Sequence, residues 1–246
     1  MSTDSFVRRL AGAIVYLTIF PAPARKKDVS ASLGYFPLVG FFLGCFLWVC
    51  FYLFEGTFPL PLTALFLLSI LIIVTRGFSL DGLAGFLDGL GSGKEGKKMI
   101  TIMREGHRGT FGLIGLILAI LAKYLLISQL IEAGNVRFLL FFPTVGGWSM
   151  VCLTWVFPMA QHGSLPVVYP VSRDFWWATG MTLLCVIFTQ GLVGVGIMVL
   201  IWIFIYIFGY YVVKKIGSIT PHVMGSCGEL VEIISLGFLV ILLGSR

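Results

Sequence analysis

The residues best suited to chemistry lie in one stretch, Arg76 to Gly112, reading RGFSLDGLAGFLDGLGSGKEGKKMITIMREGHRGTFG. It holds four of the chain's eleven carboxylates and six of its seventeen lysines and arginines. Asp81 and Asp88 are seven residues apart. On a helix both point from nearly one face, roughly 10 Å apart along the axis. That is too far for one ion to touch both unless the side chains lean together or the helix is broken. Gly82, Gly85 and Gly89 let another backbone, or a phosphate, approach closely. Lys94, Lys97, Lys98, Arg104 and Arg108 follow, a cluster suited to pyrophosphate oxygens. Carboxylates holding Mg²⁺ beside cations binding phosphate are the parts that phosphoryl transfer uses. The bland alternative is that the acids cap helices and the cations mark the cytoplasmic face. For any single lysine the bland reading is the better one. The two aspartates, set among glycines beside apolar runs, read as functional.

The elements that must position these groups are membrane helices. With 58% hydrophobic and 11% charged residues and a mean hydropathy of +1.01, the composition excludes a soluble globular domain. Continuous apolar blocks, rather than alternation, argue against a transmembrane barrel. The fold class is therefore all-α, a polytopic membrane protein. Its expected spans number about seven: 33–54, 57–75, 110–131, 138–158, 175–190, 192–213 and 229–244. The uncharged run from Phe175 to Val213 is too long for one span, and Thr189-Gln190-Gly191 is its natural break. With the N-terminus inside, the cytoplasmic segments are 1–32, 76–109, 159–174 and 214–228. These contain fourteen of the seventeen lysines and arginines, which is strong evidence for that orientation; the expected location is a cytoplasmic (inner) membrane. Residues 1–32 read as an uncleaved amphipathic or re-entrant segment, because Arg25-Lys26-Lys27 would resist translocation. No linker or repeat divides the chain, so 1–246 is read as one membrane domain. Gly40-x-x-x-Gly44 is a helix-packing pattern. The net charge of +6 is a topology signal, and cations set between apolar runs do not suit a nucleic-acid partner. The five cysteines show no paired spacing and read as small core residues.

The 76–112 stretch resembles the signature of the cobalamin synthase (adenosylcobinamide-GDP ribazoletransferase) family, whose pattern runs close to HLDGLADTADG followed by IMRDSRIGTFG. Ser79–Gly89 and Ile102–Gly112 align with it without gaps. Leu17-Thr-Ile-Phe-Pro-Ala-Pro23, Tyr35-Phe-Pro-Leu-Val-Gly40 and Gly217-Ser-Ile-Thr-Pro-His-Val-Met-Gly-Ser226 match further landmarks, so the likeness covers nearly the whole chain. It implies a transferase of cobalamin biosynthesis that joins adenosylcobinamide-GDP to α-ribazole or its 5′-phosphate and releases GMP. Its logic is similar to that of CDP-alcohol phosphotransferases. The implied cofactor is Mg²⁺, held by Asp81, Asp88 and Glu105. The cations from 94 to 108 would then neutralise the pyrophosphate. The implied partners are those two small molecules and membrane lipids; a homo-oligomer is allowed.

The departures are as informative. The family's three aspartates fall at i, i+4 and i+7, and here the middle one is Gly85. The family histidine is Ser79, and Glu105 replaces an aspartate. Gly147-Trp148 stands where Ser-Arg is expected, Gln161 where an arginine is expected, and Pro221-His222 where Gly-Asp is expected. His222 is a candidate replacement ligand or an ordinary interfacial histidine.

Three residues outside the stretch are also candidates. Glu229 and Glu232 share a face at the expected start of the last span, where dipole complementarity or a site-facing role would each explain them. Lys123, inside the third span, needs an anionic partner or a route to the interface. His107 and His162 read as loop residues, and Trp176-Trp177 as an interfacial belt. Two other functions stay open. One is a phosphotransferase with a different acceptor alcohol. The other is a catalytically impaired, corrinoid-binding relative. A transporter is disfavoured, because the polar residues gather at one face rather than at the midplane.

Overall fold

The computed structural model describes residues 3–105, 109–160 and 172–244, and its regular elements are helices. The amino-terminal α1 (Thr3–Leu17) buries Ala13 and Leu17 while leaving Arg8 exposed. Its Tyr16 ring stacks on Phe36 and meets Phe78 edge-on, and burial pushes the phenol up to about 12. A short α2 (Lys26–Ser30) and a 3-10 turn lead into α3 (Phe36–Phe54). Then come α4 (Leu60–Val74), α5 (Phe78–Gly91), α6 (Gly96–Arg104), α7 (Thr110–Glu132), α8 (Phe138–Val156), α9 (Ser172–Ile216) and α10 (Pro221–Gly244).

Helix α8 is the axis of the molecule. It carries no charge, and 89% of its apolar window is buried, chiefly under α3, α9 and α10. The Gly40-x-x-x-Gly44 pattern is what lets α3 lie against it. A Cβ at Gly40 would stand 2.2 Å from the Pro143 carbonyl oxygen, and one at Gly44 2.6 Å from that of Leu139. The glycine pattern therefore marks a real helix contact, as read from the sequence.

Five helices among the described residues are long and apolar enough to cross a membrane, six if α4 and α5 are counted as one bent span. One of the five, α9, is too long for a single crossing at 1.5 Å per residue. It is broken at Gly191, whose φ of 61° and ψ of −145° are not helical. A Cβ at Gly194 would lie 2.6 Å from Val186 Cγ1, whereas eight residues of straight helix span about 12 Å. The chain thus folds back on itself at the expected break, and the Phe175 and Trp202 rings meet across the two limbs at 6.0 Å.

Between α4 and α5 the chain turns by 82° through Arg76 and Gly77, both with positive φ. Such a backbone strains Arg76, and its guanidinium is what anchors it: Nη2 donates to the carbonyls of Val15 and Thr18, each at 2.7 Å. This elbow therefore pins the end of α1. The Ile19 amide also donates to the Val74 carbonyl at 2.8 Å.

Chain ends expected on one side of the membrane do meet. Lys215 pairs with Glu95 at 3.0 Å, and Met159 bridges to Ile219. At the other end, Asn135 donates to Gln190 beside the Gly191 turn at 3.4 Å.

One boundary needs correction. The last helix begins at Pro221, eight residues before the expected 229. Proline at the first helical position is pre-organised, and Thr220 Oγ1 accepts from the Val223 amide at 3.3 Å as an N-cap.

Candidate active site

Helix α5 lies wedged between α10 and α7, and glycines set how closely. A Cβ at Gly82 would stand 2.7 Å from the His222 carbonyl oxygen, and one at Gly225 3.2 Å from that of Phe78. The glycines read as admitting a backbone or a phosphate thus admit, at Gly82, the backbone of α10. Below this crossing, Leu80 and Leu83 pack with Ala119 of α7, near Leu230 and Ile233.

In this position α5 offers one carboxylate to the N-terminus of each neighbour. Asp81 faces the start of α10, where its Oδ2 lies 3.9 Å from His222 Nε2. The Asp81 side chain is 55% exposed and that of His222 20%, so the pair opens to solvent. Asp88 faces the start of α7. Its Oδ2 accepts from the Gly109 amide and its Oδ1 from the Gly112 amide, both at 2.7 Å.

A second polar group lies deeper. Lys123, on α7, is 3% exposed and does not reach the interface. Its ammonium is 2.7 Å from Glu229 Oε1 and 2.5 Å from Glu232 Oε2, both on α10. Gly146 of α8 makes room for this group, since a Cβ there would stand 2.7 Å from Glu232 Oε1. Because α10 starts at Pro221, the glutamates sit two turns or more inside it. Dipole complementarity at a helix start therefore does not account for them; the buried ammonium does. Beside the three lies a small cavity of about 50 Å³, lined by Thr75, Ser79, Lys123, Gly147, Glu229 and Glu232 among others. That holds a water molecule or two, not a nucleotide.

The sequence candidates thus separate into three places. Asp81 and His222 meet at the solvent edge; Lys123, Glu229 and Glu232 meet inside; Asp88 is taken by α7. Lys94, Lys97, Lys98 and Arg104 are exposed on and before α6, whose Met99 and Met103 are buried against Gly89. Glu105, exposed at the end of α6, and Arg104 both have partners in the structure. Arg108, His107, Gln161 and His162 lie outside the described residues. Trp148, where the resemblance leads to an arginine, is absorbed by packing. Its indole donates to Thr179 at 3.1 Å, and its ring lies 6.1 Å from Trp202.

Among the described residues, no three or more His, Cys, Asp or Glu side chains come together as a metal cage. Asp81, Asp88 and Glu105 therefore do not form a ready-made Mg²⁺ site. Asp88 fits the ion poorly, because each of its oxygens already serves a helix amide. Asp81 fits better. Mg²⁺ is commonly held by one or two carboxylates, with substrate phosphates and water completing the shell, and Asp81 is half open to such a ligand.

Sequence reading missed Gly109 and Gly112 as receivers of a carboxylate. The available signal was Gly-Thr-Phe-Gly opening a long apolar run.

Comparison with known proteins covers nearly the whole chain. The family described as cobalamin-5-phosphate synthase matches residues 9–240. An adenosylcobinamide-GDP ribazoletransferase of Geotalea daltonii is 33% identical, over 93% of this chain and 95% of its own. Proteins of the same name from Desulfitobacterium hafniense and Citrobacter koseri are 31% and 30% identical, over 94% and 91% of this chain and 95% of each relative. No solved structure matches significantly.

Proposed function

Since the chain belongs to the cobalamin-5-phosphate synthase family, we propose that it joins adenosylcobinamide-GDP to α-ribazole, or to its 5′-phosphate, with release of GMP. One observation carries this reading beyond kinship. The signature segment on α5 and the family landmark at the start of α10 are folded against each other with a half-open Asp81–His222 edge between them, and the helix that bears exposed cations packs on the other end of α5, at Gly89.

The reaction is a phosphoryl transfer. The ribazole hydroxyl attacks the phosphorus on the corrinoid side of the diphosphate. The new O–P bond forms as the bond to GMP breaks, and the hydroxyl proton passes to a carboxylate or a water at the Asp81–His222 edge. Lys94, Lys97, Lys98 and Arg104 offset the charge of the diphosphate. Mg²⁺ would be held by Asp81 together with the substrate phosphates, and when bound it neutralises charge on the transferring group. The basic face is taken as cytoplasmic, with the N-terminus inside the inner membrane. Lipids then surround α7 and α9, whose outward apolar residues include Leu118, Leu125, Leu184 and Phe188.

The deciding experiment uses purified protein in detergent with adenosylcobinamide-GDP, α-ribazole and Mg²⁺. GMP and the joined cobamide should appear in equal amounts, and omission of the acceptor should stop both. Binding of the corrinoid donor without GMP release would reject the reading in favour of an inactive, corrinoid-binding relative, which Gly85, Ser79 and His222 motivate.

A further inference from the structure

Asp88 was expected to hold metal, yet its surroundings are built for another task. The amide of Gly109, at the N-cap of α7, and that of Gly112, three residues on, are among the helix-start donors that have no partner within their own helix. Asp88 supplies both, one to each carboxylate oxygen, at 2.7 Å. Both glycines are required. A Cβ at Gly109 would stand 2.6 Å from Asp88 Oδ1, and one at Gly112 2.4 Å from Oδ2. The fit continues on either side. A Cβ at Gly115 would meet Leu87 Cδ1 at 2.0 Å, and one at Gly91 would meet the Phe111 ring at 2.3 Å. Gly109, Gly112 and Gly91 thus keep the end of α5 close against the start of α7, with the carboxylate at their centre.

What this lock closes is the excursion that carries the cations. Asp88 and Gly109 are 21 residues apart in sequence, and between them lie Lys94, Lys97, Lys98, Arg104 and Glu105. On its inner side the excursion rests on Met99 and Met103 against Gly89, within one residue of Asp88. We propose that Asp88 is a positioning residue, a staple that closes the base of the cation-bearing excursion and so sets where those cations meet the diphosphate, and that it is not a metal ligand. The role given to the cations rests on the transferase reading; the staple itself does not.

The test separates the two. In the full-length protein in detergent, hydrogen exchange at the Gly109 and Gly112 amides is compared between wild type and Asp88→Asn. The carboxamide of that variant offers one acceptor oxygen and places an NH₂ group against the other amide. Exchange should quicken by about tenfold or more at one or both glycines, with α8 unchanged. Unchanged exchange at both glycines overturns the staple, whether or not the protein turns over substrate. In the transfer assay, the same variant should raise KM for adenosylcobinamide-GDP severalfold while its half-activating Mg²⁺ concentration stays within about twofold of wild type. A tenfold rise in the Mg²⁺ requirement with an unchanged donor KM would return Asp88 to the metal. Asp88→Ala should exceed Asp88→Asn in both effects, and the asparagine variant serves where the alanine one fails to fold. If wild-type protein releases no GMP, the transferase reading fails, and the exchange arm still decides the staple.

Discussion

Lys123 and Glu232 meet at 2.5 Å in a part of the protein from which water is nearly excluded, with Glu229 completing the group at 2.7 Å. The ammonium is the counter-charge for both carboxylates, so removing it strands two buried acids. Lys123→Met should lower stability by about 3–5 kcal/mol, the range for breaking a buried pair. The triple change Lys123→Met, Glu229→Gln and Glu232→Gln should recover most of that loss. Thermal unfolding followed in detergent measures both. A single Lys123→Met variant that unfolds with wild type would show that the three charges are not mutually dependent.

Asp81 is 55% exposed at the solvent edge and supports little packing. Asp81→Ala should therefore fold like wild type yet release GMP at least about a hundredfold more slowly, the lower end of what a positioned proton acceptor contributes. Size-exclusion profile and GMP release are read on the same preparation. Retained turnover would remove Asp81 from the site.

The crossing of α5 over α10 is graded by its two glycines. Gly82→Ala puts a methyl 2.7 Å from a backbone oxygen, whereas Gly225→Ala meets backbone at 3.2 Å. The first should cost about 1–3 kcal/mol, as for overpacking elsewhere, and the second clearly less. Gly180→Ala, with nothing within 4 Å, is the control and should be neutral or slightly stabilising. Unfolding midpoints in the order Gly180→Ala, Gly225→Ala, Gly82→Ala, from highest to lowest, are expected.

Sidedness is tested with impermeant thiol reagents. Lys94→Cys, on the face shared with Lys215, should be labelled only in inverted membrane vesicles, and Asn135→Cys, beside the Gly191 turn, only in right-side-out ones. A cysteine-free background (five replacements) is needed for a clean reading. Labelling of both from one side would overturn the topology.

Much of this architecture is written in hydropathy, because a bilayer demands long apolar segments and tolerates few exceptions. The fold-back at Gly191 was legible for the same reason, since no single span needs 45 residues. The start of α10 was misplaced although Thr220-Pro221 is an ordinary start signal. The polar residues after it made a loop look cheaper than a helix. Tertiary pairing was the least legible part. Lys123 announced a need for an anion, and Glu229 and Glu232 announced a shared face, but nothing local ties residues 109 apart. Asp88 was harder still. A helix is normally capped by the residue before it, and here the capping group comes from another helix.

The separation of Lys123 from its glutamates also orders events during biosynthesis. Helix α7 leaves the ribosome long before α10, so its ammonium reaches the bilayer ahead of the two acids it pairs with. A mean hydropathy of 2.2 over its best window is what carries it there. The two acids arrive with the final helix, and until then the nascent protein holds the cation without them. Arrival of α10 is thus the event that pairs this ammonium, and a chain truncated ahead of it should be recognised and degraded by membrane proteases.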